Sequence, residues 1–297
     1  LLWLSTLKKE YRIYQNLTIP QIISEVLYKY GFDYEFQLID EYESRDYCVQ
    51  YGESDFNFVS RLLEEEGIHY YFQYSETKHT LIMTDSLLTH NEIKGYEQVP
   101  YFENDKLAHV HTEYLSQCQV VENLRSTRFS TKDYDFLGPF APLDESSAWS
   151  LRHSHHPEAE VYEWPGGYIT DAIGERYARR RAEELQYQRE YLQFRGTVRG
   201  LETGAAFCLQ NDPKPSRVRY ESSSNNNIDY IVLSTYYDLQ ESPYQSLVGQ
   251  PNRFAQSLLA DDTVPAEVPS QQKDQYRCVM HLTVQDKTQP SYRRTRV

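Results

Sequence analysis

The chain has 297 residues, 39% of them hydrophobic, and a formal net charge of −14 from 44 acidic against 30 basic side chains. That length suits about two domains, and a mean hydropathy of −0.72, with no apolar run of bilayer length, argues for a water-soluble core rather than a membrane span. A surface of this sign repels phosphate backbones, so nucleic acid is not an expected partner.

Residues 1–14 read as a strand, LLWLSTL, then a charged turn and YRIY. Thr18 and Gln21 form a capping box before a helix, with Pro20 in the first turn, where a missing N–H costs nothing. Leu17 and Ile22 stand where a hydrophobic staple would be. Ile22, Ile23, Val26, Leu27 and Tyr30 make its apolar stripe, and Gly31 ends it. Phe32 to Leu38 and Tyr47 to Tyr51 are expected to pair as strands around the acidic loop Asp40 to Asp46. Ser54 then caps a second helix. Phe56, Val59, Leu62 and Leu63 share a face of it, Glu64 to Glu66 form a solvated end, and Gly67 takes the left-handed position beyond. Ile68 to Tyr74 and Leu81 to Thr84 read as a hairpin around the polar turn Ser75 to Thr80. Residues 86–105 read as a connection, with Pro100 closing the module.

From about residue 106 the texture is β-like. Residues 137–160 look loop-like, and Tyr162 to Tyr168 (YEWPGGY) form a tight turn in which proline fixes φ and the glycines allow positive φ. Asp171 to Gln188 is a charged third helix with a stripe of Ile173, Tyr177 and Leu185, and Glu175 and Arg179 stand at i,i+4. Tyr191 to Gly200, Ala206 to Leu209, Asp229 to Tyr237 and Tyr276 to Gln285 are strands; 222–227 and 240–275 are loops. The 27 tyrosines suit sheets and interfaces alike. Cys48, Cys118, Cys208 and Cys278 lie far apart without a CxxC pair, which favours free thiols in a reducing compartment over disulfides or zinc.

Chemistry-bearing patterns are sparse. Glu64, Glu65 and Glu66 are consecutive and fan around their helix, whereas a glycosidase needs two carboxylates converging on one bond. His153, His155 and His156 could hold a metal, but a proline-flanked loop is the simpler reading; His109 and His111, alternating on a strand, could offer a two-histidine edge. There is no GxSxG, Walker loop or GxGxxG. The Trp164 to Gly167 glycines already have a conformational reason. No residue is assigned to catalysis, to a cofactor or to a metal.

The run ESDFNFVSRLLEEEGIHYYF, followed by KHTLIMTDS, resembles the signature of VgrG proteins, the spike of the bacterial type VI secretion system. YQNLTIPQIISEVLYKYGF upstream is similar to the same family. So are DYDF at Asp133 to Phe136, YEWPGGY, GERYARRRAEEL from Gly174, RGLETG from Arg199 and YRRTRV at the C-terminus, in the family's order. RGLETGAAF departs from the pattern in lacking a proline before the glycine.

The resemblance implies an α+β, mainly β fold: a β-barrel like that of the phage tail hub, with an αβ insert of two helices and a hairpin, and a third helix. It divides the chain into the last strand of a first barrel (1–16), the αβ module (17–100), a second barrel (101–286) and a linker toward an OB-fold and needle (287–297). It implies a homotrimer whose paired barrels make a pseudo-six-fold ring on a hexameric tube of Hcp protein, with effector or adaptor proteins as further partners and the target envelope met through the needle. No enzyme activity or cofactor is expected. With Leu1 first and no leader pattern, the chain is expected to be an internal fragment of a protein assembled in the bacterial cytoplasm and exported by the type VI machine. Two rivals remain: a carbohydrate- or peptidoglycan-hydrolysing domain using clustered carboxylates, and a monomeric glycan- or metal-binding module.

Overall fold

The computed structural model describes residues 2–103, 112–134, 143–148, 159–168, 170–187, 189–210, 229–241 and 276–286. In chain order, a 3-10 turn (Leu2–Thr6) is followed by β1 (Lys9–Tyr14), β2 (Leu17–Thr18), α1 (Ile19–Leu27), β3 (Tyr34–Gln37), β4 (Ser44–Arg45), β5 (Cys48–Ser54), α2 (Asp55–Glu66), β6 (His69–Tyr74) and β7 (His79–Thr84). Then come β8 (Gln98–Pro100), β9 (Leu115–Glu122), β10 (Arg128–Asp133), β11 (Leu143–Ala148), β12 (Glu160–Glu163) and α3 (Asp171–Tyr187). The chain ends in β13 (Glu190–Gly196), β14 (Ala206–Gln210), β15 (Asp229–Glu241) and β16 (Tyr276–Asp286).

The first two helices start as their caps dictate. Gln21 Oε1 accepts from the Thr18 backbone N–H at 2.9 Å while the Thr18 hydroxyl accepts from Gln21 N at 3.4 Å. Ser54 Oγ accepts from Asn57 N at 3.1 Å, and α2 stops on Gly67 at φ +69°, a conformation that costs an L side chain energy. Ile22, Ile23, Val26 and Leu27 of α1 meet Phe58, Val59, Leu62 and Leu63 of α2, together with Tyr14, Ile68, Leu81 and Met83, in one core. Phe58 is the fully buried ring of α2; Phe56 is only partly buried against the same core. At the first position of α2 the buried Asp55 carboxylate accepts from the Tyr30 hydroxyl and from Gln50 Nε2, both at 2.7 Å.

Two local expectations are corrected. Leu2–Thr6 is a 3-10 turn, so the strand begins only at Lys9. The segments flanking the acidic loop do not pair with each other: β3 runs parallel to β7, and β5 runs antiparallel to β1. The cause lies in Asp85, just past β7, whose carboxylate accepts from Ile39 N at 2.9 Å, Asp40 N at 2.8 Å and the Tyr42 hydroxyl at 3.0 Å. These bonds hold the acidic loop against the end of β7 and place β3 at that strand's side.

The second half is built on a six-stranded sheet in the order β8-β14-β15-β16-β13-β9. Its edges meet: Tyr101 bridges to Leu115, and Phe102 N donates to Leu115 O at 3.0 Å, so the sheet curls into a barrel. Register shifts at Gln193/Arg195 and Val232/Ser234 mark bulges, which bend the wall. Inward residues alternate along each strand, with Leu192 and Phe194, Phe207 and Leu209, Tyr230 and Val232, and Met280, Leu282 and Val284 filling the interior.

A smaller sheet, β11-β10-β12, carries α3. Here the reading of 137–160 as loop is corrected, since Leu143–Ala148 pairs antiparallel with β10 despite a weakly β-forming sequence. The α3 stripe is corrected as well. Its buried line is Gly174, Ala178 and Ala182, small residues that let the helix lie close to Phe129 and Tyr168, while Ile173, Tyr177 and Leu185 are partly exposed. Cys48 is a buried free thiol. His109, His111, His153, His155 and His156, the 222–227 loop and the C-terminal 287–297 lie outside the described residues.

Candidate functional site

The densest charged constellation lies where the C-terminal end of α2 meets α3. Glu66 is 4% exposed rather than solvated. Its Oε1 accepts from Arg45 Nη2 at 2.9 Å and from the Tyr177 hydroxyl at 3.3 Å, and its Oε2 lies 3.5 Å from Arg176 Nη2. Glu65 accepts from Arg45 Nη1 at 3.0 Å, and Glu64 is 3.9 Å from Arg181. Arg180, itself buried, pairs with Asp40 at 2.5 Å, and Arg176 donates to the Glu41 carbonyl at 3.1 Å. The solvated-end reading of the three glutamates is therefore corrected. Burial, and then the charge of Glu66, pushes the Tyr177 hydroxyl well above the usual tyrosine range, so it stays a donor to the carboxylate.

Two cavities flank this cluster: one lined among others by Glu64, Glu65, Arg180, Arg181 and Glu184 measures about 70 Å³, and one lined by Asp40, Glu41, Ala172, Glu175, Arg176 and Arg179 about 280 Å³. Ligand pockets typically run ~300–1,000 Å³. Each glutamate faces an arginine, so the constellation acts as a clamp between the αβ module and the helix on the small sheet.

The Trp164 to Tyr168 turn is likewise stapled. Asp133 accepts from Gly167 N at 2.6 Å and Tyr168 N at 3.3 Å, and the buried Tyr168 hydroxyl donates to the Thr131 and Leu143 carbonyls at 3.1 and 2.9 Å. Gly167 has φ +75°, whereas Gly166 is required for space, because a Cβ there would strike the Tyr168 ring.

A third cluster joins the hairpin to the barrel. His69 Nε2 lies 2.9 Å from His90 Nε2, and His90 Nδ1 lies 2.7 Å from the Gly204 carbonyl in the loop before β14. The two imidazoles are nearly coplanar at 8°, and Tyr71 stacks on His90 at 4.7 Å.

Arg45, Arg176, Arg180, His69 and His90 were not singled out from the sequence. A usable signal existed for the arginines: Arg45 is the one cation in DEYESRD, and Arg179 to Arg181 form a basic run in an acidic chain. The paired histidines, 21 residues apart, gave none.

The family model described as "Phage tail baseplate hub (GPD)" matches residues 1–243. The type VI secretion system spike protein VgrG1a of Pseudomonas aeruginosa is 34% identical over 245 residues, covering 82% of this chain and 36% of that protein. VgrG3 of Vibrio cholerae is 31% identical over 209 residues, covering 69% of this chain and 20% of its own length. Among solved structures, the E. coli c3393 protein, described as a type VI secretion component similar to the T4 bacteriophage tail proteins gp27 and gp5, superposes with a TM-score of 0.54 at 19% identity, over 99% of this chain and 55% of that one. The prophage MuSo2 43 kDa tail protein from Shewanella oneidensis gives a TM-score of 0.57 at 10% identity, over 97% and 73%. These two likenesses concern the fold. The chain spans about a third of the length of VgrG1a. With a hub-family match over most of its residues, this chain belongs to the phage tail baseplate hub family, and it is similar to VgrG spike proteins at 34% identity across four-fifths of its length.

Proposed function

We propose that this chain is the hub portion of a type VI secretion spike, a mechanical part with no catalytic task of its own. The observation that carries the reading is the 34% identity to VgrG1a over 82% of the chain. In this reading three copies assemble into a ring that seats on a hexameric Hcp-type tube and leads into a needle, with effectors or adaptors carried on the assembly and export by the type VI machine itself. Residues 1–16 end a first barrel, 17–100 form the αβ module, 101–286 the second barrel, and 287–297 lead toward the needle.

Two physical features support a part that transmits force. The charged clamp ties the αβ module to α3, and the His69, His90 and Gly204 contacts tie its hairpin to the barrel. The outer face of the β1–β5 ribbon exposes Tyr11, Ile13 and Tyr51, and Trp3 and Leu7 just before β1 are exposed as well, as expected of a surface covered in an assembly. What weighs against the hydrolase reading is the engagement of each of Glu64, Glu65 and Glu66 by an arginine. Light scattering of the intact protein beside this 297-residue chain tests the proposal. A trimer of the intact protein is expected, and an intact protein that stays monomeric at every concentration would sink it.

A further inference from the structure

The seam between hairpin and barrel runs through three groups in line: His69 on β6, His90 after the Leu87–Thr89 turn, and the Gly204 carbonyl. Their hydrogens follow from elementary chemistry. A carbonyl oxygen only accepts, so His90 Nδ1 carries the hydrogen and donates it to Gly204. A neutral His90 then presents a bare Nε2, and the short Nε2 to Nε2 contact requires His69 to donate from its own Nε2. His69 Nδ1 is left without a hydrogen, buried and without a hydrogen-bond partner. The loop comes this close because Gly204 has φ +89° and no side chain; a Cβ there would enter the Tyr71 ring.

We propose that this histidine pair is an acid-opened latch between the αβ module and the barrel, built to hold one shared proton and not a second. An added proton has two places to go, and both are penalised. On His90 Nε2 it sets two N–H groups against each other across 2.9 Å. On His69 Nδ1 it adds an N–H, and with it a positive charge, at a buried atom that faces no acceptor. Burial, and then the neighbouring His90, lowers the His69 pKa from 6.5 to about 3.

Tyr71 stacks on His90 from the same strand as His69, and its hydroxyl, pushed up to about 12 by burial, stays neutral in acid. Thr84 lies opposite His69 on β7 and is uncharged. Glu35 of β3 and Glu202 of the loop act on Tyr71, and Glu202 also accepts from the Tyr74 backbone across the seam. Burial raises the Glu202 carboxyl, so its contribution runs the other way: it favours the folded chain at low pH and weakens as pH rises. For His69 the folded pKa is depressed, so its contribution is whole above pH 6.5 and is lost as pH falls from there toward 3.

The test is a comparison of this chain with His69→Gln, whose amide N–H can replace the Nε2 donor but takes up no proton. Unfolding is followed by chemical denaturation from pH 7.5 to 5, and Glu202 cancels in the difference. The expected result is that the folded-to-unfolded ratio of the parent falls relative to the variant by about tenfold per pH unit below ~6.5, one linked proton. In parallel, hydrogen exchange in peptides covering 69–74 and 201–206, corrected for intrinsic rate, speeds up in acid in the parent alone. A parent-to-variant ratio that does not change with pH overturns the latch. Should His69→Gln fail to fold, imidazole NMR of the parent decides: a His69 resonance unmoved down to pH 5 supports the latch, and a titration midpoint near 6.5 overturns it.

Discussion

Glu66 offers the sharpest test of whether the charged cluster is a structural clamp. Replacing it with alanine removes the acceptor shared by Arg45, Arg176 and Tyr177. Breaking a buried ion pair from one side costs ~3–5 kcal/mol, because the remaining charge is stranded. Here both arginines retain some water, with side chains 25% and 17% exposed, and Arg45 keeps Glu65. The expected loss therefore falls to about 2–3 kcal/mol, which in a chain of this size lowers Tm by roughly 4–6 °C. Glu66→Gln keeps the volume and one acceptor and should cost about 1–2 kcal/mol. Scanning calorimetry measures both, and a double-mutant cycle with Arg176→Ala should return a coupling of about 1 kcal/mol. If Glu66→Ala unfolds within a degree of the parent, the clamp contributes nothing and the reasoning fails. A Glu66→Gln chain that keeps its Tm but loses a cell-wall-hydrolysing activity would instead reinstate the enzyme reading.

Two further outcomes follow from the caps of α2. Ser54→Ala should lower the unfolding free energy by about 1 kcal/mol, read as a lower denaturant midpoint at unchanged slope, since Asn57 N loses its acceptor. Gly67→Ala should cost more than Gly31→Ala, although both glycines have nearly the same φ, +69° against +63°. The strain common to both is ~1–2 kcal/mol, but a Cβ at 67 would also lie 2.9 Å from Arg180 Cδ, whereas at 31 it meets nothing within 4 Å. Equal losses would show that Arg180 moves aside freely and that its pairing with Asp40 adds no rigidity.

How far the fold could be read from the sequence depended on the distance over which each decision is made. The Thr18 and Ser54 caps, the glycine stops and the hairpin are settled within a few residues, and they stand where the motifs put them. The wrong strand pairing around the acidic loop came from favouring the nearest partner. The correct register rests on Asp85, whose bonds to Ile39 N and Asp40 N span 46 and 45 residues and leave no periodic trace. Leu143–Ala148 escaped notice for a similar reason, as LDESSA has little strand propensity of its own and is held by pairing with β10.

The glutamates of α2 make the same point about charge. EEEG at a helix end carries no mark that separates a solvated terminus from a buried ion cluster, because the deciding partner, Tyr177, lies 111 residues away. In a chain of net charge −14, however, at least 14 of the 44 carboxylates have no cation of their own and must face water or find neutral donors. The few arginine-rich places therefore show where carboxylates can enter the interior. Arg45 inside an acidic loop and the Arg179 to Arg181 run are two such places, and three of these four arginines close on Glu64, Glu65, Glu66 or Asp40. A search of an acidic sequence for its isolated cations, rather than its abundant acids, would have pointed to the clamp before any fold was known.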